Sequence, residues 1–434
     1  MGEGVLTGGG ADTARLFADA GLERRGRSLH VGGVALAEVA DGAGTPIYVY
    51  SAEVIRRQYR GLDQALAGVP HRIAFAVKSN GNLAVLRVLR DLGAGADIVS
   101  GGELARALAA GFAPERIVFS GVGKSDAELA AAVAAGIGHV HLESAAELEA
   151  LAGIVARERR PMRVGIRINP DVTADTHPFI ATGQGGIKFG VPFDQVVPLA
   201  LAVARHPLLT IDTIAMHIGS QLLDAGPYAE GVGRLLETVE RLRGAGVAGV
   251  TTLDIGGGLG IRYRDETPLA PEVLARTVLA PVLEAGLILT LEPGRYLVGS
   301  AGVLLTTVLS RKHSGGKDLV IVDAGMNDLV RPSHYMAYHE MVEVETHGRS
   351  PAEVDVVGPV CETGDFLARD RELPALERGE RIAVLGAGAY GFVMASNYNT
   401  RPRPAEVMVD GGRWWVARPR ESVEDLYRGE RMAP

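Results

Sequence analysis

The chain has 434 residues, of which 47% are apolar and 22% charged, with 57 glycines and a formal net charge of −8. That length allows a large core and two domains, the composition is that of α/β material, and the acidic balance argues against nucleic acid or an acidic membrane surface as the main partner. The stretch from Tyr296 to Ser310, the longest apolar run without many charges, has 15 residues and is too short to cross a bilayer. The opening MGEGVLTGGGAD lacks a basic stretch followed by an apolar core, so no signal peptide is expected. A single cysteine, Cys361, excludes an intramolecular disulfide and a cysteine-based metal cluster. These features describe a cytoplasmic enzyme, with no metal expected.

In chain order, the first 12 residues are Gly-rich, and residues 1–27 read as a flexible extension. Ser28–Val39 has a strand-like texture, so residues 28–44 are expected to cross over and join a β-rich domain further on. From 45 to 298 short β-rich runs alternate with helical segments. The expected strands are Arg72–Val77, Ala96–Val99, Arg116–Phe119, His139–Leu142, Arg163–Ile168, Ile211–His217, Thr252–Ile255 and Leu287–Leu291. Helices such as Asn82–Leu92, Gly102–Ala110, Asp126–Ala135, Ala145–Arg157 and Tyr228–Leu242 lie between them. Strict alternation at this count predicts a (β/α)8 TIM-type barrel over a doubly wound open sheet. Residues 299–434 change texture: β-rich runs follow one another with Gly and Pro turns, which predicts a C-terminal β-barrel or sandwich.

Chemistry in such barrels sits at the C-terminal ends of the strands. Only 5 of the 44 basic residues are lysines, and one of them, Lys78 in "FAVKSN", ends the first strand. Arginine stays protonated, whereas a desolvated lysine can become a nucleophilic amine; the plainer reading is a lysine reaching into water. Asp97 and Ser100 follow strand two, and Arg167 and Asn169 end strand five. His217 and Ser220 in "HIGS" end strand six, Gly257 and Gly258 in "IGGGLG" end strand seven, and Glu292, Gly294 and Arg295 in "EPGR" end strand eight.

Each has a bland reading. The glycines do not have dinucleotide-binding spacing and could simply turn the chain. His217 could be structural, Glu292 could cap a turn, and Arg295 could pair with a surface carboxylate. Together, however, an amine, an anion-binding nest, an imidazole and a carboxylate on one barrel face meet the needs of pyridoxal 5'-phosphate. Lys78 suits its aldehyde, the glycine N–H groups its phosphate, His217 the face of its ring, and Glu292 a protonated pyridine nitrogen.

The motifs "FAVKSN", "HIGSQ", "DIGGGLG", "EPGR", "GPVCETGD" and "GAYGF", in this order, resemble the fold-type III pyridoxal-phosphate-dependent decarboxylases, whose barrel is like that of alanine racemase. "MNDLVRPSHY" and "YNTRPRPAEVMVDG" are similar to the branch that decarboxylates meso-2,6-diaminopimelate to L-lysine. The likeness covers residues 28–425 and implies that Lys78 bonds the cofactor. It likewise implies that His217 stacks on the ring, that Gly258 and Gly294 meet the phosphate, and that Glu292 faces the pyridine nitrogen. By the same resemblance Arg295 contacts phosphate and substrate, Arg331, Tyr335 and Glu362 hold the distal end of the substrate, Cys361 donates a proton, and Tyr390 touches both cofactor and substrate. It implies a homodimer with shared active sites, completed by Cys361 and Glu362 of the partner. Thr363 and His334 depart from the usual serine and aliphatic residue. A related decarboxylase of ornithine, arginine or a carboxypolyamine is the runner-up, followed by a racemase on the same barrel and a non-catalytic pyridoxal-binding protein.

Overall fold

Strand and helix alternate from His71 to Leu291 as the periodicity predicts. The computed structural model describes residues 9–172 and 188–432, which form two compact units, one of residues 58–261 and 267–297, the other of 1–57, 262–266 and 298–434.

In the first unit eight parallel strands close into a barrel. They are His71–Ala76, Gly95–Ile98, Ile117–Phe119, His139–Leu142, Met162–Arg167, Leu209–Ala215, Thr252–Asp254 and Ile288–Leu291. Each pairs with its successor, and the eighth closes onto the first through Leu291 opposite Ile73. The expected bounds hold within one to two residues. Asp97, expected after strand two, lies inside it.

Local chemistry sets where the helices begin. Three of them start on a serine that accepts a hydrogen bond from the N–H of a glutamate three residues on: Ser100 with Glu103, Ser125 with Glu128 and Ser144 with Glu147. Each such cap contributes about 1 kcal/mol. The glutamates reach back to backbone N–H groups of Val99, Ser125 and Glu143, so each barrel loop is fixed at both ends. Lys124 is structural: its Nζ donates to the carbonyls of Gly121 and His141 and to Glu147 at 2.6–2.8 Å.

The second unit holds a nine-stranded sheet, branched at the long strand Gly302–Ser314, rather than a second closed barrel. Ile47–Ser51 lies in the middle of this sheet, not in the barrel where the alternation put residues 45 onward. It pairs antiparallel with Gly302–Leu305 and parallel with Ala405–Val409. Phe366–Pro374, which the charges of "ARDRE" disguise, is a further strand and pairs antiparallel with Pro351–Val357.

Two expectations at the N-terminus need correction. Of the supposed flexible extension, residues 1–8 lie outside the described residues, but helix Gly9–Ala20 and strand Leu22–Arg25 are ordered elements. Within Ser28–Val39 only Ser28–Val31 and Val34–Ala35 are strands; Leu36–Ala43 is a helix. Its buried residues Leu36, Val39 and Ala40 follow the helical spacing of three and four, and Gly44 at φ 71° ends it. The N-terminal segment does pack on the sheet: Leu29, Leu36 and Val39 share a core with Val49, Leu305 and Val407. Leu29 N–H also donates to Val344 O at 2.9 Å.

Candidate active site

Lys78 sits in the single 3-10 turn Val77–Ser79 that follows the first barrel strand. Its Nζ donates to Asp97 Oδ2 at 3.0 Å, with the lysine side chain 33% exposed and the aspartate 0%. A carboxylate removed from water needs a cation, and Lys78 supplies one at the strand end. The second oxygen, Asp97 Oδ1, is buried without a hydrogen-bond partner among the described residues.

Beside this pair lies a second buried acidic group. Glu292 closes strand eight, accepts from Ser120 Oγ at 3.3 Å, and has its Oε1 3.9 Å from His141 Nδ1. Burial pushes the Glu292 carboxyl well above its ordinary range, and the charges of Asp254 and Asp97 push it further, against Lys78 and Arg167. Asp254, on strand seven, is raised to about 7, chiefly by burial. His141, Asp254 and Glu292 bring one polar atom each within 4.8 Å of the others. Arg167, at the end of strand five, is held by Glu143 at 3.1 Å. Glu143 also accepts from the N–H groups of Gly121 and Gly190, locking the loops around it.

His217 follows strand six. Its Nδ1 accepts from Gly257 N–H at 3.2 Å, which places the ring proton on Nε2. Burial, with Lys78 and Arg167 nearby, lowers its pKa well below the usual value and keeps the imidazole neutral. The glycines after strand seven are close-packed. A Cβ on Gly257 would lie 2.3 Å from Glu292 O, and one on Gly258, at φ 114°, 2.7 Å from Tyr228 Oη. Tyr228 Oη donates to Gly257 O at 2.9 Å and braces the turn. Gly257 N–H, an expected nest donor, points inward to His217, as does that of its neighbour Gly256 to Asp254 Oδ1. Arg295 is buried and donates from Nε and Nη2 to Ser220 Oγ at 3.3 and 3.1 Å. Gly294 abuts Ser79, whose Oγ would lie 2.9 Å from an added Cβ.

Lys78, Asp97, His217, Ser220, Gly257, Gly258, Glu292, Gly294 and Arg295 thus all belong to the strand ends of the barrel unit. The residues the motif reading missed are His141, Asp254, Ser120 and Glu143. Their signal was the alternation itself: His139 and His141, Thr252 and Asp254, and Thr290 and Glu292 each share one face of a strand.

The other expected residues, Arg331, Tyr335, Cys361, Glu362 and Tyr390, belong to the β unit. Arg331 opens the short helix Arg331–Tyr335, and its buried guanidinium lies 5.0 Å over the Tyr263 ring. Tyr335 meets His334 edge-on at 4.5 Å. Cys361 is exposed, and its N–H donates to Asn399 Oδ1 at 2.7 Å. Glu362 accepts from the Tyr398 hydroxyl, which raises that phenol's pKa. Asp365 organises "GPVCETGD" by accepting from Met326 N–H and Val360 N–H, both at 2.6 Å. Tyr390 has φ 56°, a left-handed conformation that costs a bulky residue about 1–3 kcal/mol.

The barrel residues fit pyridoxal phosphate. A buried carboxyl whose charge is disfavoured by burial and by neighbouring carboxylates is the complement of a pyridinium nitrogen. A neutral imidazole, an ion-paired lysine and a close-packed glycine turn surround it. Comparison with known proteins agrees. Residues 52–299 match the family model for the pyridoxal binding domain of pyridoxal-dependent decarboxylases. The chain is 48% identical to diaminopimelate decarboxylase of Pseudomonas aeruginosa, over 94% of this chain and 98% of the relative. The corresponding Aquifex aeolicus enzyme is 46% identical over 93% and 96%. The structure of diaminopimelate decarboxylase from Helicobacter pylori complexed with L-lysine superposes with a TM-score of 0.87 at 39% identity, over 90% of this chain and 98% of that one. The chain therefore belongs to the pyridoxal-dependent decarboxylase family, in its diaminopimelate decarboxylase branch.

Proposed function

We propose that the protein is a carboxy-lyase that uses pyridoxal 5'-phosphate to convert meso-2,6-diaminopimelate to L-lysine and CO2, the last step of lysine biosynthesis. The observation that carries this reading is the Lys78–Asp97 pair within electrostatic reach of buried Glu292. Bound pyridoxal phosphate supplies an aldehyde for the substrate amine and a ring that accepts the electron pair left by CO2.

The chain's own residues do the rest. Asp97 holds the Lys78 amine in place, where it would meet the cofactor's aldehyde. His217, neutral and fixed by Gly257, offers a flat face to the ring. Glu292 would face the pyridine nitrogen and favour its protonated form. The turn at Gly257 and Gly258, together with Gly294 and the Ser220–Arg295 pair, is suited to phosphate. Arg331, Tyr335 and Glu362 are assigned to the distal end of the substrate, where a carboxylate and an amine need opposite partners. Arg295 and Tyr390 are assigned to contact with both cofactor and substrate. Cys361 is assigned as the acid that returns a proton to the decarboxylated carbon, supported by its exposure on a loop bounded by Gly358, Pro359 and Gly364.

A homodimer with shared active sites in the cytoplasm completes the reading, with neither nucleic acid nor membrane as partner. Among the described residues no helix is long and apolar enough to cross a membrane. The test offers the purified enzyme meso-diaminopimelate, ornithine, arginine and lysine in parallel. CO2 should be released fastest from meso-diaminopimelate. Faster release from ornithine would replace this reading with the diamine-forming one.

A further inference from the structure

Barrels of this kind are usually filled by layers of bulky aliphatic side chains. This one is not. A cavity of about 410 Å³ occupies its interior, bordered by Arg72, Arg116 and Arg163 at the strand starts and by Thr213, Thr252 and Thr290 higher up. His141 and Asp254 line the same cavity. The three arginines are exposed, so the cavity meets solvent at the base of the barrel, the end opposite Lys78. The threonine hydroxyls, histidines and arginines among its walls offer water the partners it needs in a space this large.

At the inner end Asp254 Oδ1 accepts from Gly256 N–H at 2.8 Å. Its other oxygen is buried and has no donor among the described residues, yet the carboxyl lies within hydrogen-bonding reach of Glu292. Two carboxylates cannot bond to each other; a carboxylate and a carboxylic acid can. The contact is a bond only when one proton is shared between them. The charged and titratable groups around this pair are Lys78, Asp97, His141, Arg167 and His217, with His139 and Glu115 further along the cavity wall. His141 is held neutral by burial and carries no excess proton to give it.

We propose that Asp254 is the positioning residue of Glu292, holding it through a shared proton, and that the open interior of the barrel carries the pair's second proton to solvent at the base. In the step itself the Asp254 carboxyl passes its proton to water in the chamber. Glu292 keeps its proton, which the two groups then share, and the hydrated proton from Asp254 leaves past Glu115 and the base arginines. The chamber therefore adjusts the charge beside the cofactor's nitrogen without opening the substrate's side of the site. The inference rests on the pyridoxal reading of Glu292.

The experiment follows the cofactor's absorbance in the holoenzyme against pH, with L-lysine present to cover the substrate side. A spectral transition near neutral pH is expected in the wild type, where burial raises Asp254 to about 7. Asp254→Asn keeps a hydrogen-bond donor but cannot ionise, so the transition should vanish while the cofactor stays bound. A wild type without any transition, or a variant that keeps it unchanged, overturns the role of Asp254. For the route, absorbance is followed after a rapid pH jump. Ala74→Leu, which fills the chamber, should slow the relaxation by about tenfold. If that variant does not fold, Thr252→Val with Thr290→Val removes two hydroxyls at nearly constant volume and should slow it in the same way. An unchanged rate in the folded variant overturns the base route. A wild-type protein that binds no chromophore would fail the pyridoxal reading itself, a distinct outcome.

Discussion

Lys78 Nζ stands 3.0 Å from an Asp97 carboxylate that has none of its side chain exposed, while Lys78 itself remains one-third exposed. The anchor is dry and the amine can still be approached. Lys124 is the opposite case, with a side chain 0% exposed and three acceptors around its ammonium. Borohydride reduction of the holoenzyme followed by peptide mapping should therefore find the pyridoxyl group on Lys78. Label on Lys124 or Lys188 would refute the assignment. Lys78→Arg should abolish turnover although the charge is retained, because a guanidinium cannot bond the aldehyde in the same way.

Glu103 makes stability depend on pH. Burial raises its carboxyl to about 7, against the N–H of Val99 at 2.8 Å. The folded state thus holds a proton that the unfolded chain releases near its ordinary pKa. The sign follows: stability falls as pH rises from about 4.5 to about 7 and stays reduced above it. Glu103→Gln keeps the acceptor for Val99 and removes the titration. Its urea midpoint should match the wild type near pH 4.5 and exceed it at pH 8, by at most ~3 kcal/mol of unfolding free energy. Equal midpoints at both pH values would show that Glu103 does not carry this proton.

Arg331 is buried beside Tyr263 in the β unit. If it binds the distal carboxylate, Arg331→Met removes a charge-assisted contact of about 1.5–3 kcal/mol, so kcat/KM for meso-diaminopimelate should fall about ten- to a hundredfold. Most of the loss should appear in KM. A fall confined to kcat would place Arg331 in the chemical step instead.

Shared sites can be tested by mixing two inactive proteins, Lys78→Ala and Cys361→Ala, under conditions in which subunits exchange. A mixed dimer would have one site with both changes and one with neither. Random exchange at equal amounts makes about half of the dimers mixed, so activity should recover to roughly a quarter of wild type. No recovery with exchange verified would assign both residues to one subunit's site.

Much of this was legible in the sequence because barrel strands announce themselves through alternation and because unusual residues collect at their C-terminal ends. Lys78, His217 and Glu292 stood out for that reason. Asp254 and His141 did not, since a polar residue inside a barrel strand looks like noise until the strands close and put it beneath Glu292. Leu36–Ala43 was misread because it spans only eight residues, and the spacing of Leu36, Val39 and Ala40 decides for a helix only when the partner surface is known. Ile47–Ser51 was assigned by its place in the alternation, yet strand pairing depends on partners distant in sequence.

That strand has a consequence for how the protein is made. Tyr50 pairs with Gly302, and Ile47 with Ala405. Roughly 250 residues separate the first of these partners, which at ribosomal speeds of about 5–20 residues per second is a wait of some ten to fifty seconds. The whole barrel emerges within that interval, while Ile47–Ser51, every residue of it destined for the interior, has neither neighbour to bond. A nascent chain halted near residue 298 would thus carry a finished barrel and an unpaired, apolar strand edge. Such an edge is the kind of surface that chaperones bind and that aggregation begins from.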